Sequence, residues 1–255
     1  MKILCPIDYS SNAMMALETA IYYTKLLDAD LHIVNVVSKE SDVKSSEDQM
    51  NQMLAGISAV SEGYINPTVA VLVGYVSEEV IQYGNRNQID CIIMGTKGLN
   101  SVKNLLFGSV TSMVASISRV PVLVVPLELT SEFSTKMMLA VDDLEIKNEN
   151  IFDIPLEIAR SNDVKIDILH IQTKEEFLPF DPILFLGLEE RAGEIHLVKG
   201  DDVTQEVKDF CEKENTGLLI MIRRQKNLIS KLLKVSTTTL EASMTNIPLM
   251  IIPEL

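Results

Sequence analysis

The chain has 255 residues, 47% of them hydrophobic and 23% charged, a balance that excludes disorder and leaves room for two domains of ordinary size. A net charge of −14 (22 basic against 36 acidic residues), the absence of Trp and an aromatic content of 5% argue against a nucleic-acid binder, an anionic-membrane binder and a base-stacking platform. No apolar run approaches the roughly 18–20 residues of a membrane span and the first residues lack a signal-peptide layout, so a cytoplasmic protein is expected.

In chain order, short apolar runs alternate with segments of helical spacing. Ile3 to Ile7, Leu31 to Val37, Val69 to Val73, Cys91 to Met94 and Val120 to Val125 read as strands buried on both faces. Between the first two runs, Ala13, Leu17, Ala20, Ile21, Thr24 and Leu27 recur at helical spacing behind Ser10-Ser11-Asn12, which offers N-cap residues. A long polar helix is expected from Ser45 to Ser61. A further helix is expected to begin at Ser77 and another after Gly108-Ser109. Strand and helix alternating in this way give a parallel sheet covered by helices on both faces.

The pattern then starts again. Lys2-Ile3-Leu4-Cys5-Pro6-Ile7-Asp8 is echoed by Lys136-Met137-Met138-Leu139-Ala140-Val141-Asp142, and Leu31-His32-Ile33-Val34 near Ile166-Asp167-Ile168-Leu169. Val71-Leu72-Val73-Gly74 returns as Leu197-Val198-Lys199-Gly200, and Pro121 to Pro126 as Pro248 to Pro253. Matches in the same order point to a duplication. The expected domains are 1–127 and 135–255, joined by the polar stretch between Leu127 and Thr135; in the second, Thr173 to Arg191 is irregular. The expected fold class is α/β, two tandem open parallel sheets flanked by helices.

Ligands of open parallel sheets bind beyond the carboxyl ends of the strands, at the point where strand order reverses. Asp8 follows the first strand. After the fourth, Met94 leads into Gly95-Thr96-Lys97-Gly98, with Gly108-Ser109 opening a helix nine residues later, a G-x2-G-x9-G-S spacing. Gly95 and Gly98 permit positive φ and close backbone approach, and Gly108-Ser109 leaves unpaired helix amides, so the segment reads as a phosphate cradle or, more plainly, as a turn followed by an N-cap. Neither G-x-G-x-x-G nor G-x4-G-K-[ST] occurs, which weakens dinucleotide and Walker readings.

With these marks in place, the sequence resembles the universal stress proteins, in the tandem two-domain form and in their ATP-binding branch: a first strand ending in Asp, the glycine spacing above and a terminal P-V-L-V-V strand. The resemblance implies five-stranded parallel sheets of the adenine nucleotide alpha hydrolase-like, Rossmann-like kind. It implies that modules pair through their last strands; because Pro121 to Val125 and Pro248 to Ile252 are apolar, terminal edges, they are expected to pair antiparallel with each other as an intrachain pseudo-dimer. It also implies ATP as ligand, with Mg2+ or Mn2+ riding on the phosphates. Pro6, Ile7 and Asp8 would then line the nucleoside, Val36 would offer backbone contacts to the adenine and Met94 would pack beside the ribose. Gly95, Gly98, Gly108, Ser109 and Val110 would surround the phosphates. Lys97 and Leu99 depart from the family, where His and a basic residue are frequent.

The second half loses the cradle: Ile222, Gln225 and Val235 stand where the first half has Gly95, Gly98 and Gly108, while Ser236 matches Ser109 and Asp142 matches Asp8. One nucleotide per chain is therefore expected. The segment from Asn215 to Leu240 carries Arg223, Arg224, Lys226, Lys231 and Lys234 without an acidic residue, either a solvated face or an exposed anion site. Cys5, Cys91 and Cys211 lack metal-ligand spacing and read as buried free thiols. His32, His170 and His196 lie in expected strands, the first two at the sheet's margin, and no catalytic or metal-binding residue is assigned. The expected function is an ATP-binding stress-response regulator or sensor. The alternatives are a slow ATPase or phosphotransferase, and a ligand-free interaction scaffold.

Overall fold

A computed structural model of the chain describes residues 1–57, 63–96, 108–128, 136–141, 149–173, 188, 191–224 and 246–254. The described residues up to Leu127 form one compact unit and those from Glu128 onward a second.

In the first unit the strands are β1 (Lys2–Ile7), β2 (Asp30–Val37), β3 (Thr68–Val73), β4 (Cys91–Gly95) and β5 (Val122–Val125). They lie in the order β3-β2-β1-β4-β5, and every pairing is parallel. The chain thus builds outward from β1 in one direction, returns, and builds outward in the other from β4. The helices are α1 (Ser11–Leu26), α2 (Val43–Ala55), α3 (Val76–Asn87) and α4 (Ser109–Ile117).

Strands β1, β4 and β5 are apolar and buried, as expected of crossover-connected parallel strands with both faces covered. β3 is different. Its residues are exposed or half-buried, Val69 and Val73 among the exposed, so the expectation of burial on both faces fails at this strand. α1 forms where the spacing predicts it: Ala13, Ala16, Leu17, Ala20 and Tyr23 are buried on one face, and the Ser10 hydroxyl accepts from the Ala13 amide at 3.2 Å. α3 begins at Val76, ahead of the expected Ser77, after Tyr75 as N-cap. α2 starts at Val43, before the expected Ser45.

Four of the described helices, α1, α3 and two of the second unit, end with one device. Asp28, Gln88, Asp163 and Asn215 adopt left-handed φ between 48° and 54°. The next amide in each case bonds a carbonyl five residues back, Ala29 to Thr24, Ile89 to Gly84, Val164 to Ala159 and Thr216 to Cys211. This is a glycine-type helix closure made with polar residues.

The second unit contains β6 (Met137–Val141), β7 (Ile166–Gln172), β8 (Ala192–Lys199), β9 (Leu218–Arg223) and β10 (Leu249–Pro253), with α5 (Asp153–Ser161) and α6 (Val203–Lys213). Its order is β8-β7-β6-β9-β10, again all parallel, so β6 takes the place of β1 and β9 that of β4. Both units are therefore open five-stranded parallel sheets with helices packed on them, the α/β fold class expected.

The core corrects the histidine expectation. His32 and His170 are buried, not marginal: His32 Nδ1 lies 3.0 Å from the Tyr83 hydroxyl and His170 Nδ1 lies 3.3 Å from the Val141 carbonyl. Cys5, Cys91 and Cys211 are free and buried, and burial pushes the Cys91 and Cys211 thiols up to about 12 and Cys5 further. No described helix is long and apolar enough to cross a membrane.

Candidate functional site

The strand order of the first unit reverses between β1 and β4, and the carboxyl ends of these strands carry Asp8 and Gly95-Thr96. Pro6 helps to open this place. The Met1 carbonyl accepts from Asp30 on the β2 side and the Lys2 carbonyl accepts from Asp90 on the β4 side. Alternation along a parallel strand therefore aims even-numbered residues of β1 at β4. Pro6 is one of these and has no amide to give. The β1–β4 register runs only through Ile3↔Cys91 and Leu4↔Ile92, whereas β1 pairs with β2 along six residues, Lys2 to Ile7.

On the β2 side, Ile7 pairs with Asn35, so the next residues, Asp8 and Val36, stand abreast where the two strands end. Asp8 is half-buried, and its Oδ1 accepts from the Ser10 amide at 3.1 Å, which ties the carboxylate to the start of α1. A carboxylate at a helix amino end is favoured by the local dipole. Val36 is half-buried, and Met94 is buried beneath the end of β4.

Gly95 has a steric reason to be glycine. A Cβ built on it would lie 2.7 Å from the Asn12 carbonyl oxygen and 2.8 Å from its carbon, both backbone atoms of the first turn of α1. Its φ is not positive, so the expected conformational role is corrected: the close approach of α1 to β4 is what excludes a side chain. The Asn12 Oδ1 is buried without a hydrogen-bond partner, a polar acceptor left over beside the end of β4.

α4 is pinned to the same strand end. The Gly108 amide donates to the Thr96 carbonyl at 2.7 Å, and Thr111 Oγ1 donates to the Gly95 carbonyl at 2.8 Å. The Gly108 amide, expected to be unpaired, is thereby used. Ser109 and Val110 are the first helical residues, whose amides have no intrahelical acceptor by helix geometry. Ser109 is exposed and Val110 half-buried. Gly98, with Lys97 and Leu99, lies outside the described residues. Thus Pro6, Ile7, Asp8, Val36, Met94, Gly95, Gly108, Ser109 and Val110 all fall at the carboxyl ends of β1, β2 and β4 or at the start of α4.

Three residues that the sequence does not single out also belong here, Tyr9, Asn35 and Ser46, together with Asn12, expected only as an N-cap candidate. Only a polar residue inside an apolar strand, Asn35, could have signalled this. Its Nδ2 donates to the Ile7 carbonyl at 2.7 Å, and its Oδ1 accepts from Ser46 Oγ at 2.7 Å. Burial raises the Tyr9 phenol above its ordinary value, outweighing the opposing hydrogen bond with Ser46, so it is protonated at neutral pH.

In the second unit Ile222 holds the register place of Gly95: it pairs with Ile252 as Gly95 pairs with Val125. The reading of Arg224 as part of an exposed cationic site is overturned. Its Nε lies 2.9 Å from Glu254 Oε2, and the two side chains are only 9% and 12% exposed. Burial lowers the Arg223 guanidinium from its ordinary value. Asp142, Gln225, Lys226, Lys231, Lys234, Val235 and Ser236 lie outside the described residues. Among the described residues no group of three or more His, Cys, Asp or Glu side chains could hold a metal ion.

An open parallel sheet with a carboxylate and a pinned helix amino end flanking its switch point defines the class of doubly wound ligand-binding folds. The comparisons narrow the class. The profile of the universal stress protein family matches residues 1–126, and the first unit belongs to that family. A universal stress protein of Synechocystis is 27% identical over 122 residues, 48% of this chain and 41% of that protein. The stress response protein NhaX of Bacillus subtilis is 32% identical over 91 residues, 33% of this chain and 55% of that protein. The chain thus spans less than two thirds of the length of both relatives. A universal stress protein of Archaeoglobus fulgidus shares the fold over 99% of this chain and 96% of its own, with a TM-score of 0.76 and 16% identity.

Proposed function

We propose that the first unit binds ATP and that the protein acts as a nucleotide-dependent stress-response regulator or sensor, not as a robust enzyme. The observation that carries this reading is the pinning of the amino end of α4 to the end of β4, beside the switch point. Helix amides without intrahelical acceptors, backed by the helix dipole, are a ready site for phosphate. The base and ribose would lie toward Asp8, Val36 and Met94, with the phosphates at Gly95, Gly98, Gly108, Ser109 and Val110. The orphaned Asn12 Oδ1 supports a polar ligand, because a buried acceptor without a donor is costly unless one arrives. Mg2+ or Mn2+ would be carried by the phosphates; the chain's own part is to hold the anion through its amides. The buried free thiols fit a reducing, cytoplasmic compartment.

Calorimetric titration of the full chain with ATP tests the reading, with one site per chain expected because Ile222 replaces Gly95 in the second unit. A chain that takes up no ATP refutes the proposal, and two equivalent sites refute the asymmetry. Nucleotide analysis of the titrated sample separates binding from slow hydrolysis by the appearance of ADP.

The proposal extends to assembly. β5 and β10 are uncharged, apolar and last in the order of their units, and a bare edge of this kind invites pairing. Antiparallel pairing of these strands within one chain would give the pseudo-dimer. Cysteine pairs scanned across 122–125 and 249–252 should include one that crosslinks intramolecularly, and a scan with none rejects it.

A further inference from the structure

We propose that the Tyr9 hydroxyl and Ser46 form a clasp that positions Asp8 and the end of β2 for the nucleoside part of the ligand, which makes Tyr9 a positioning residue. The inference rests on the nucleotide reading above.

Tyr9 follows Asp8 directly and has φ 62°, a left-handed conformation that aromatic residues rarely adopt. Its side chain reaches α2, where the hydroxyl donates to the Ser46 carbonyl at 3.1 Å and lies 3.4 Å from Ser46 Oγ. Ser46 Oγ is committed to Asn35 Oδ1, and Asn35 Nδ2 to the Ile7 carbonyl. The hydrogen bonds therefore leave the chain on one side of Asp8, at Tyr9, and return on the other, at Ile7. Ser46 and Asn35 are 7% and 6% exposed, so water competes little for these bonds.

The path runs through β1, β2 and α2 and touches neither β4 nor α4. Because Ile7 and Asn35 pair in register, the clasp fixes Asp8 relative to Val36, the pair assigned to the nucleoside. The phosphate end is held separately by the contacts of α4 with Gly95 and Thr96. Loss of the clasp should therefore weaken recognition of the nucleoside and spare that of the phosphates, which a general loss of structure would not do.

Calorimetry of the full chain with ATP and with inorganic tripolyphosphate distinguishes the two. Tyr9→Phe keeps the ring and removes only the hydroxyl; Ser46→Ala removes the partner's side chain and serves if the first variant folds poorly. For each variant the Kd for ATP should rise about 5- to 10-fold, the scale of one ordinary hydrogen bond, while that for tripolyphosphate stays within about twofold. The double variant should be no weaker than either single one by more than about twofold, because the two groups share one network. Unchanged ATP affinity overturns the clasp, and so does an equal loss for both ligands. Tripolyphosphate that fails to bind a wild type that binds ATP overturns the division of the site on which the clasp depends. A wild type that binds no ATP overturns the nucleotide reading itself, a result distinct from failure of the clasp alone.

Discussion

Gly95 leaves no room for a Cβ because the Asn12 carbonyl group stands in the space a methyl group would fill. Both obstructing atoms are backbone, so relief requires α1 to move away from β4. Gly95→Ala should destabilise the chain by about 1–3 kcal/mol, the usual cost of overpacking, as read from the midpoint of urea unfolding at unchanged slope. Gly74 has a different reason. At φ 153° it turns the chain out of β3 while its amide bonds the Val37 carbonyl, and the Glu79 side chain covers it. His32 supplies a pH test. Burial lowers its pKa from the ordinary value of 6.5, with Lys2 adding to the effect and Asp30 opposing it. The unfolded chain then binds more protons than the folded one as pH falls through 6.5 toward the lower folded value, and stability should fall over that window. The contribution is fully present above the unfolded pKa. Melting temperatures from pH 8 to pH 5 should show the fall in the wild type and a flatter profile in His32→Gln; parallel profiles would exclude His32 as the cause.

At the scale of elements, α4 matters more for where it starts than for its length. Its first residue, Ser109, occupies the position at which helices tolerate proline, and Gly108 before it has φ −63° and ψ 159°, the extended backbone that a following proline requires. Ser109→Pro should therefore leave the helix intact while removing one amide donor and one hydroxyl from the proposed phosphate site. Hydrogen bonds to charged groups are worth about 1.5–3 kcal/mol, so ATP affinity should fall at least about tenfold with no loss of melting temperature. Unchanged affinity would move the phosphates away from this helix. β1 shows how one residue shapes an element: Pro6 keeps its place beside Val34 of β2 but offers no donor toward β4.

At the scale of the whole molecule, the two units share a strand order, and the proposed site lies in the first. Ile222 stands where Gly95 admits α1, and α5 begins at Asp153, well after the end of β6 at Val141, whereas α1 begins at Ser11, directly after β1. Binding to one unit should stabilise that unit by mass action, about 2.7 kcal/mol at ligand a hundredfold above Kd. Amide exchange with and without ATP should therefore show added protection in β1, β4 and α4 well above that in β6, β7 and β9. Equal gains in both units would indicate a second site.

The strand runs, the helical spacing of α1, the echo of Lys2–Asp8 at Lys136–Asp142 and the glycines after β4 are local patterns, and so the sequence alone determined the fold class and pointed to the strand ends where the site is proposed. Burial on both faces forces continuous apolar runs, and a switch point forces function to strand ends, whatever the details. What only tertiary structure decided were contacts between segments distant in the chain. Gly95 answers to Asn12, Gly108 gives its amide to Thr96, Arg224 meets Glu254, and Tyr9 reaches Ser46. A left-handed tyrosine has no spacing to betray it, and Arg224 looks exposed in the sequence until the Glu254 carboxylate packs against it. Polar partners far apart in sequence are chosen by packing, which no local pattern records.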